Sequence, residues 1–245
     1  MNSLSGKSAL ITGGARRIGR AIALELARAG ADVTITYRRS ADEAVETVDA
    51  IEQLGRRGHA VACDVRSEVS VRAAVAAAVG YHRRLDILVN NAAVFETAPL
   101  EQLTLAAWDL VMETNARGPF LVSRDALPHL RAARGRIVNL GSLGGLEPWA
   151  GHAHYCASKA ALHMLTQTMA KAWAPEVAVN CVAPGWIEMD VESAEARERA
   201  ARFAANTPMR RNGTAEDVAQ AVLFFATAPE FITGQVLAVD GGLGL

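Results

Sequence analysis

The chain is short of net charge, of long apolar runs and of cysteine. Its 25 Lys and Arg stand against 26 Asp and Glu, a formal net charge of −1. Nothing in that balance favours nucleic acid or an anionic membrane surface as a partner. No apolar segment approaches the ~20 residues of a membrane span. The start, "MNSLSGKSALITGG", is neither a basic segment followed by an apolar run nor an amphipathic transit peptide, so a cytoplasmic protein is expected. Cys63, Cys156 and Cys181 are odd in number and lack metal-ligand or CxxC spacing. They read as small, buried hydrophobes in a reducing compartment. His152 and His154 form an HxH pair with no carboxylate or thiol spaced to complete a site, so no metal is expected. Internal repeats and low-complexity linkers are also missing. With 245 residues, the chain suits one large α/β domain.

What is there is an alternating rhythm. Short apolar strands are expected at 8–13, 32–37, 59–65, 85–92, 135–142, 177–183 and 234–240. Between them lie helical stretches at 17–30, 41–55, 67–80, about 105–130, the segment around Tyr155, and 215–228. Strands that are almost wholly apolar and alternate with amphipathic helices predict a parallel sheet buried on both faces. Right-handed crossovers then give a single-domain, doubly wound α/β fold of about seven strands, with its ligand at the carboxyl ends of the strands. Thr12–Gly19, Asp64, Asn90, Ser142 and Pro184–Gly185 all follow strands.

The first strand-to-helix turn, "TGGARRIGR", has the composition of a phosphate cradle. Gly13 and Gly14 permit the tight turn, Gly19 permits close helix packing, and the helix N-terminus offers N–H groups to a pyrophosphate. The spacing is not GxGxxG, because Arg17 stands where a middle glycine is usual; a purely structural tight turn is the alternative. An NAD site places a carboxylate at the end of the second strand. Here that end reads Tyr37, Arg38, Arg39, Ser40, and Asp32 lies at the opposite end. Guanidinium groups there, joined by Arg16, suit a 2′-phosphate, so NADP(H) is the expected cofactor.

The second informative stretch is "GSLGGLEPWAGHAHYCASKAAL". Tyr155 and Lys159 are one helical turn apart and project from the same face. An ammonium ~5 Å from the phenol at an effective dielectric of 20 is worth roughly 3 kcal/mol, enough to lower a tyrosine pKa of about 10 by about two units. A hydroxyl such as Ser142 can hydrogen-bond a carbonyl oxygen whose charge grows during reduction.

Together with "CDV", "NNAA", "TNARGPF", "VNCVAPGWI" and "ITGQVLAVDGG", these motifs resemble the short-chain dehydrogenase/reductase family over essentially the whole chain. Within it they look most similar to 3-oxoacyl-acyl-carrier-protein reductases and related ketoreductases. The resemblance implies a Rossmann fold and a tetrad of Asn115, Ser142, Tyr155 and Lys159. It implies that Gly13, Arg16, Arg17, Ile18, Gly19, Tyr37, Arg38, Arg39 and Ser40 hold the phosphates and the adenosine ribose. Asp64 and Val65 would hold the adenine, with Asn90, Asn91 and Ala92 beside the ribose at the sheet edge. Pro184, Gly185 and Ile187 would anchor the carboxamide, and Tyr155 and Lys159 would reach the nicotinamide ribose. Departures are Arg17, Met189 where a threonine is usual, and Ala93 for a glycine. "GARRIG" and "YRRS" also resemble pteridine reductases, but those typically carry aspartate where this chain has Ser142.

The implied reaction is hydride transfer from NADPH to the carbonyl of a 3-oxoacyl thioester or similar ketone, a small molecule either free or carrier-bound, with Tyr155 as proton donor. Pteridine reduction, oxidation of a sugar or alcohol, and a non-catalytic NADP-binding sensor are the alternatives. Residues 188–212 read as a mobile lid. Glu147, Trp149, His152 and Met189 flank the catalytic groups and are expected at the pocket. Arg131, Arg134, Arg136 and Lys171 are candidates for docking an acidic carrier. The helix after Tyr155 is apolar or small around most of its circumference, and similar proteins pair it across a two-fold axis, so a homotetramer is expected.

Overall fold

The computed structural model describes residues 3–188 and 193–245. A seven-stranded parallel sheet in the order β3-β2-β1-β4-β5-β6-β7 organises it. The strands are β1 (Ser8–Ile11), β2 (Asp32–Tyr37), β3 (Gly58–Ala62), β4 (Ile87–Asn90), β5 (Arg136–Leu140), β6 (Ala178–Pro184) and β7 (Val236–Val239). The order reverses between β1 and β4, where outgoing crossovers pass to opposite faces and leave a crevice at the carboxyl ends.

Side chains alternate along each strand between two cores. One takes Ala9, Ile11, Val33, Ile35, Val89 and Val182 against α1 (Arg17–Arg28), α2 (Ala41–Gln53) and α8 (Ala215–Thr227). The other takes Leu10, Leu88, Ile137 and Val179 against α3 (Glu68–His82), α5 (Gly118–Ala133) and α6 (Ala153–Trp173). At the amino edge the buried Asp86 ties β1 to β4. It accepts from the Ser8 N–H (2.9 Å) and pairs with Lys7 (3.1 Å) and Arg84 (2.6 Å). The amino edge is thus closed by charge pairing, and the carboxyl edge is left for a ligand.

Five of the seven strands end one to three residues earlier than the apolar runs do, while β2 ends at Tyr37 as expected and β6 one residue later. Cys63–Val65, Asn91–Ala92 and Gly141–Ser142 are instead the first residues of the turns that leave the sheet. The helix expected over about 105–130 is interrupted: α4 (Leu105–Met112) passes through a π-helical turn, Glu113–Arg117, into α5. Pro119 explains the break, since it has no N–H to give to the Asn115 carbonyl four residues earlier. Within 188–212, α7 (Ala194–Asn206) is capped by Ser193, whose side chain accepts from the Ala196 N–H. Met189 lies outside the described residues.

Candidate active site

A cleft of about 810 Å³ opens at the carboxyl ends of the strands. Gly13, Arg16, Arg17, Ile18, Gly19, Tyr37, Arg38, Arg39, Ser40, Asp64, Val65, Asn91, Ala92, Pro184, Gly185 and Ile187 all line it. Ser142, Tyr155 and Lys159 lie on the same wall system.

The glycine turn is held by its neighbour strand. Thr12 Oγ1 accepts from the N–H groups of Asn91 and Ala92, both at 3.0 Å. Asn91 Nδ2 donates to the carbonyls of Thr12 and Gly13, both at 2.9 Å. A Cβ on Gly19 would come within 2.2 Å of the Gly13 carbonyl oxygen, so only glycine lets α1 start this close to the turn. Arg17 takes the left-handed conformation, φ 53°, in which a glycine would be unstrained.

The N-terminus of α1 has no side-chain cap and no acid in its first turn. The starts of α2, α5 and α6 are also without a side-chain cap, whereas α3, α4, α7 and α8 carry Ser or Thr caps. Uncapped N–H groups at the floor of a cleft, beside Arg16 and Arg17, fit an anionic phosphate group. Among the described residues Arg16, Arg17, Arg38 and Arg39 make no ion pair. Asp64 is bound to Arg66 (2.9 Å to Nε), which holds its carboxyl down at about 2. Asp32 is held by Arg56 and Arg57 at the far end of β2.

Ser142, Tyr155 and Lys159 converge from β5 and α6. Ser142 Oγ accepts from the Gly144 N–H (3.1 Å). The Ser142 N–H donates to His163 Nε2 (3.4 Å), a ring held neutral with its pKa pushed down to about 4 by burial and by the Lys159 charge. Lys159 Nζ donates to the Leu140 carbonyl (2.7 Å) and sits 5.7 Å from the Tyr155 ring centroid. Burial pushes its ammonium pKa down to about 8. The expected two-unit lowering of the Tyr155 phenol is absent here: burial raises it, and the neighbouring Ser142 hydroxyl offsets only part of this. The cation that should lower it is turned to a backbone carbonyl and is itself weakened by burial.

Asn115 is buried beside the cleft rather than on its wall. Its Nδ2 donates to the Val94 carbonyl (2.9 Å) and to Ser158 Oγ (3.1 Å), while its Oδ1 accepts from the Val94 N–H (2.9 Å). Asn90 lies outside the cleft. Its amide donates to Ser123 Oγ (2.9 Å) and Asn139 Oδ1 (2.8 Å), in a polar chain that reaches Thr166 of α6. As its side chain points into the core, no ribose contact is open to it.

Of the residues expected at the pocket, Trp149 lines it. His152 stacks on Phe95 and its Nδ1 lies 3.1 Å from the Glu96 carbonyl. Glu147 turns towards Gly244. The arginines considered for a carrier lie at the amino ends of the strands: Arg134 pairs with Glu230 (3.0 Å) and Arg136 donates to the Ala228 carbonyl (3.2 Å). Neither of these two lines the cleft. Sequence reasoning passed over Phe95, Trp186 and Phe203. Trp186 lines the cleft and stacks on Phe203 of α7 at 4.0 Å. An aromatic immediately after Pro184–Gly185 was the available signal. Cys63 and Cys181 are buried and Cys156 is partly exposed; all are free. Among the described residues no helix is long and apolar enough to cross a membrane, and no group of three or more His, Cys, Asp or Glu could hold a metal ion.

A doubly wound parallel sheet with an uncapped glycine turn at its switch point is the architecture of dinucleotide-binding proteins. A family model described as Enoyl-(Acyl carrier protein) reductase matches residues 13–244. The chain is 36% identical over 243 residues to a 3-oxoacyl-[acyl-carrier-protein] reductase of Aquifex aeolicus, covering 98% of each. It is 38% identical over 255 positions to a short-chain dehydrogenase/reductase of a Cladobotryum species, covering 98% of this chain and 97% of the relative. The solved structure of a blue fluorescent protein from a metagenomic library, in complex with NADPH, matches with a TM-score of 0.93 at 36% identity, covering 99% of this chain and all of the other. A short-chain dehydrogenase/reductase from Serratia marcescens matches equally, with TM-score 0.93, 36% identity and the same coverage. The chain belongs to the short-chain dehydrogenase/reductase family, oxidoreductases acting on CH–OH and C=O groups with a nicotinamide cofactor.

Proposed function

We propose that the protein is an NADPH-dependent carbonyl reductase in which Tyr155 is the proton donor. The observation that carries this is the convergence of Ser142, Tyr155 and Lys159 on a cleft whose other end holds the uncapped α1 terminus and unpaired arginines. Arg38 and Arg39, with Arg16 opposite, are placed to accept a 2′-phosphate, and no carboxylate stands at the end of β2 to select a bare 2′-hydroxyl. The uncapped helix and the free guanidinium groups fit NADPH on the chemistry of the donors alone.

When bound, NADPH supplies the hydride that reaches the carbonyl carbon. Ser142 and Tyr155 hold the carbonyl oxygen, and the phenol gives it a proton as charge develops. A phenol kept neutral by burial is suited to that task. Lys159 sits behind Tyr155 to grip the ribose hydroxyls and return the proton. The Asn115 carbonyl, deprived of its helical donor by Pro119, can accept from a water that links Lys159 to solvent. Fixing the carbonyl against the cofactor removes much of the entropic barrier. Asp64 and Val65 flank the adenine end, Asn91 and Ala92 the ribose, and Pro184, Gly185 and Ile187 the carboxamide. The α7 segment acts as the lid, and the active protein is a homotetramer of single-domain subunits.

The test is NADPH and NADH oxidation over a panel of an acetoacetyl thioester, a vicinal diketone, an aromatic ketone, dihydrobiopterin and a quinone, with wild type and Tyr155→Phe. NADPH-dependent turnover should fall by at least ~1000-fold in the variant while NADPH binding survives, in line with loss of an acid catalyst and its ordering of the carbonyl. Equal turnover in the variant would remove Tyr155 from the mechanism. Preference for NADH would overturn the roles of Arg38 and Arg39.

A further inference from the structure

Aromatic residues are scarce, thirteen Phe, Tyr and Trp in 245 positions. Three of them, Phe95, Trp149 and Tyr155, meet in the cleft, and Trp186 lines it too. Phe95 stands edge-on to the Tyr155 ring, with centroids 4.7 Å apart at 89°. Trp149 lies nearly parallel to the same ring, 6.2 Å away at 16°. Trp186, stacked on Phe203 at 4.0 Å, approaches from the loop after β6. Phe95, Trp149 and Trp186 come from three separate loops, after β4, β5 and β6, so no single element dictates that they line one cleft.

The box is also rigid on one side and open on the other. A Cβ on Gly144 would lie 3.0–3.3 Å from three indole carbons of Trp149, so the indole packs close against the glycine while also lining the cleft. Phe95 is 54% exposed although it sits among the catalytic groups. An exposed phenyl at the mouth of a reactive cleft is apolar surface that a ligand would cover. Charge tells the same story. The unpaired arginines stand at the glycine-turn end, and Arg134 and Arg136, two of the candidates for an acidic carrier, are engaged at the opposite edge of the sheet.

Resting on the carbonyl-reductase reading, we infer that the preferred substrate is a small ketone bearing a flat aromatic ring beside the carbonyl, with the ring held against Phe95, Trp149 and Trp186, and not an acyl chain on a carrier. Stacking of a neutral ring on two such surfaces amounts to about a tenfold preference beyond area burial.

The experiment compares two substrates with the same reacting group, 1-phenyl-1,2-propanedione and 2,3-hexanedione, in wild type, Trp149→Leu and Phe95→Leu. An acetoacetyl thioester is run beside them. Expected is a kcat/KM at least tenfold higher for the phenyl dione in wild type, carried by KM. That ratio should collapse towards one in either variant, with circular dichroism and NADPH binding showing that each is folded. Equal kcat/KM for the two diones, a preference for the thioester, or a ratio unchanged by both substitutions would overturn the inference. Binding of the phenyl dione to the NADPH complex of Tyr155→Phe, followed by tryptophan fluorescence, separates the two levels. Quenching in that complex, when wild type turns over neither dione, supports the box and sinks the reductase reading. Turnover of both diones without quenching or preference does the reverse.

Discussion

Lys159 shows how much of this site is held against its own stability. Its ammonium is buried, satisfied by one protein hydrogen bond to Leu140, and carries a pKa of about 8 where an exposed lysine has 10.5. In the unfolded chain the group binds its proton up to about pH 10. Between the two values the unfolded state holds more protons than the folded one, so folding is increasingly favoured as pH rises through that window. Below pH 8 both states are protonated and the full cost of burying the charge is present. Lys159→Met should therefore stabilise the ligand-free protein by about 2–3 kcal/mol at pH 7, with the advantage shrinking by pH 10, while activity is lost. Urea unfolding of both proteins at the two pH values measures it. An equal difference at pH 7 and pH 10 would show that burial does not depress this lysine. That Tyr155 and Lys159 share a face was legible from spacing, because a helix dictates where residues four apart must project, whereas Asn115 entered only through the family resemblance. The sign of the Tyr155 shift was not, since it depends on burial and on where the Lys159 side chain turns. The aromatic box was equally hidden: Phe95, Trp149 and Trp186 share no spacing.

Between α4 and α5 the chain uses a π-helical turn where the apolar pattern alone predicts an unbroken helix. Hydrophobic periodicity cannot register one extra residue in a turn, though Pro119 marked the place. The turn delivers Asn115 inward, where its amide satisfies both the N–H and the carbonyl of Val94 and reaches Ser158 on α6. One side chain thus joins the loop that carries Phe95 to the helix that carries Tyr155. Asn115→Ala would leave the Val94 groups without these partners, at about 1–3 kcal/mol for each group that water cannot reach. The expected outcome is a thermal midpoint lowered by about 5 °C, together with a loss of kcat that a stabilising solute does not restore. A variant with wild-type stability and wild-type kcat would show that the Asn115 amide does not hold this loop to α6. The strands were the most legible elements, because a sheet covered on both faces needs apolar residues at every position. Their ends were less so, since Asn91 and Ser142 leave the sheet for reasons set by the cleft.

At the scale of the whole molecule, two surfaces are unfinished. β7 is an edge strand whose Leu237 and Ala238 are exposed, and Phe224 and Phe231 stand near it, the latter fully open to solvent. A flat apolar edge of this kind is normally covered or charged. On the opposite face of the sheet Leu105 of α4, Phe120 of α5 and Met164 of α6 are also exposed. Two distinct apolar patches, each able to meet its own copy across a two-fold axis, generate a closed tetramer with dihedral symmetry, whereas one patch would stop at a dimer. Analytical ultracentrifugation at micromolar concentration should then give a tetramer of the 26.0 kDa chain. The double substitution Phe231→Glu, Leu237→Lys places charge on one patch only, and neither side chain is needed by the core, so the expected product is a folded dimer joined through α4, α5 and α6. Adding Met164→Glu should carry it on to monomers. A wild-type monomer, or a tetramer indifferent to charge at the β7 edge, would show that these apolar surfaces are not subunit contacts.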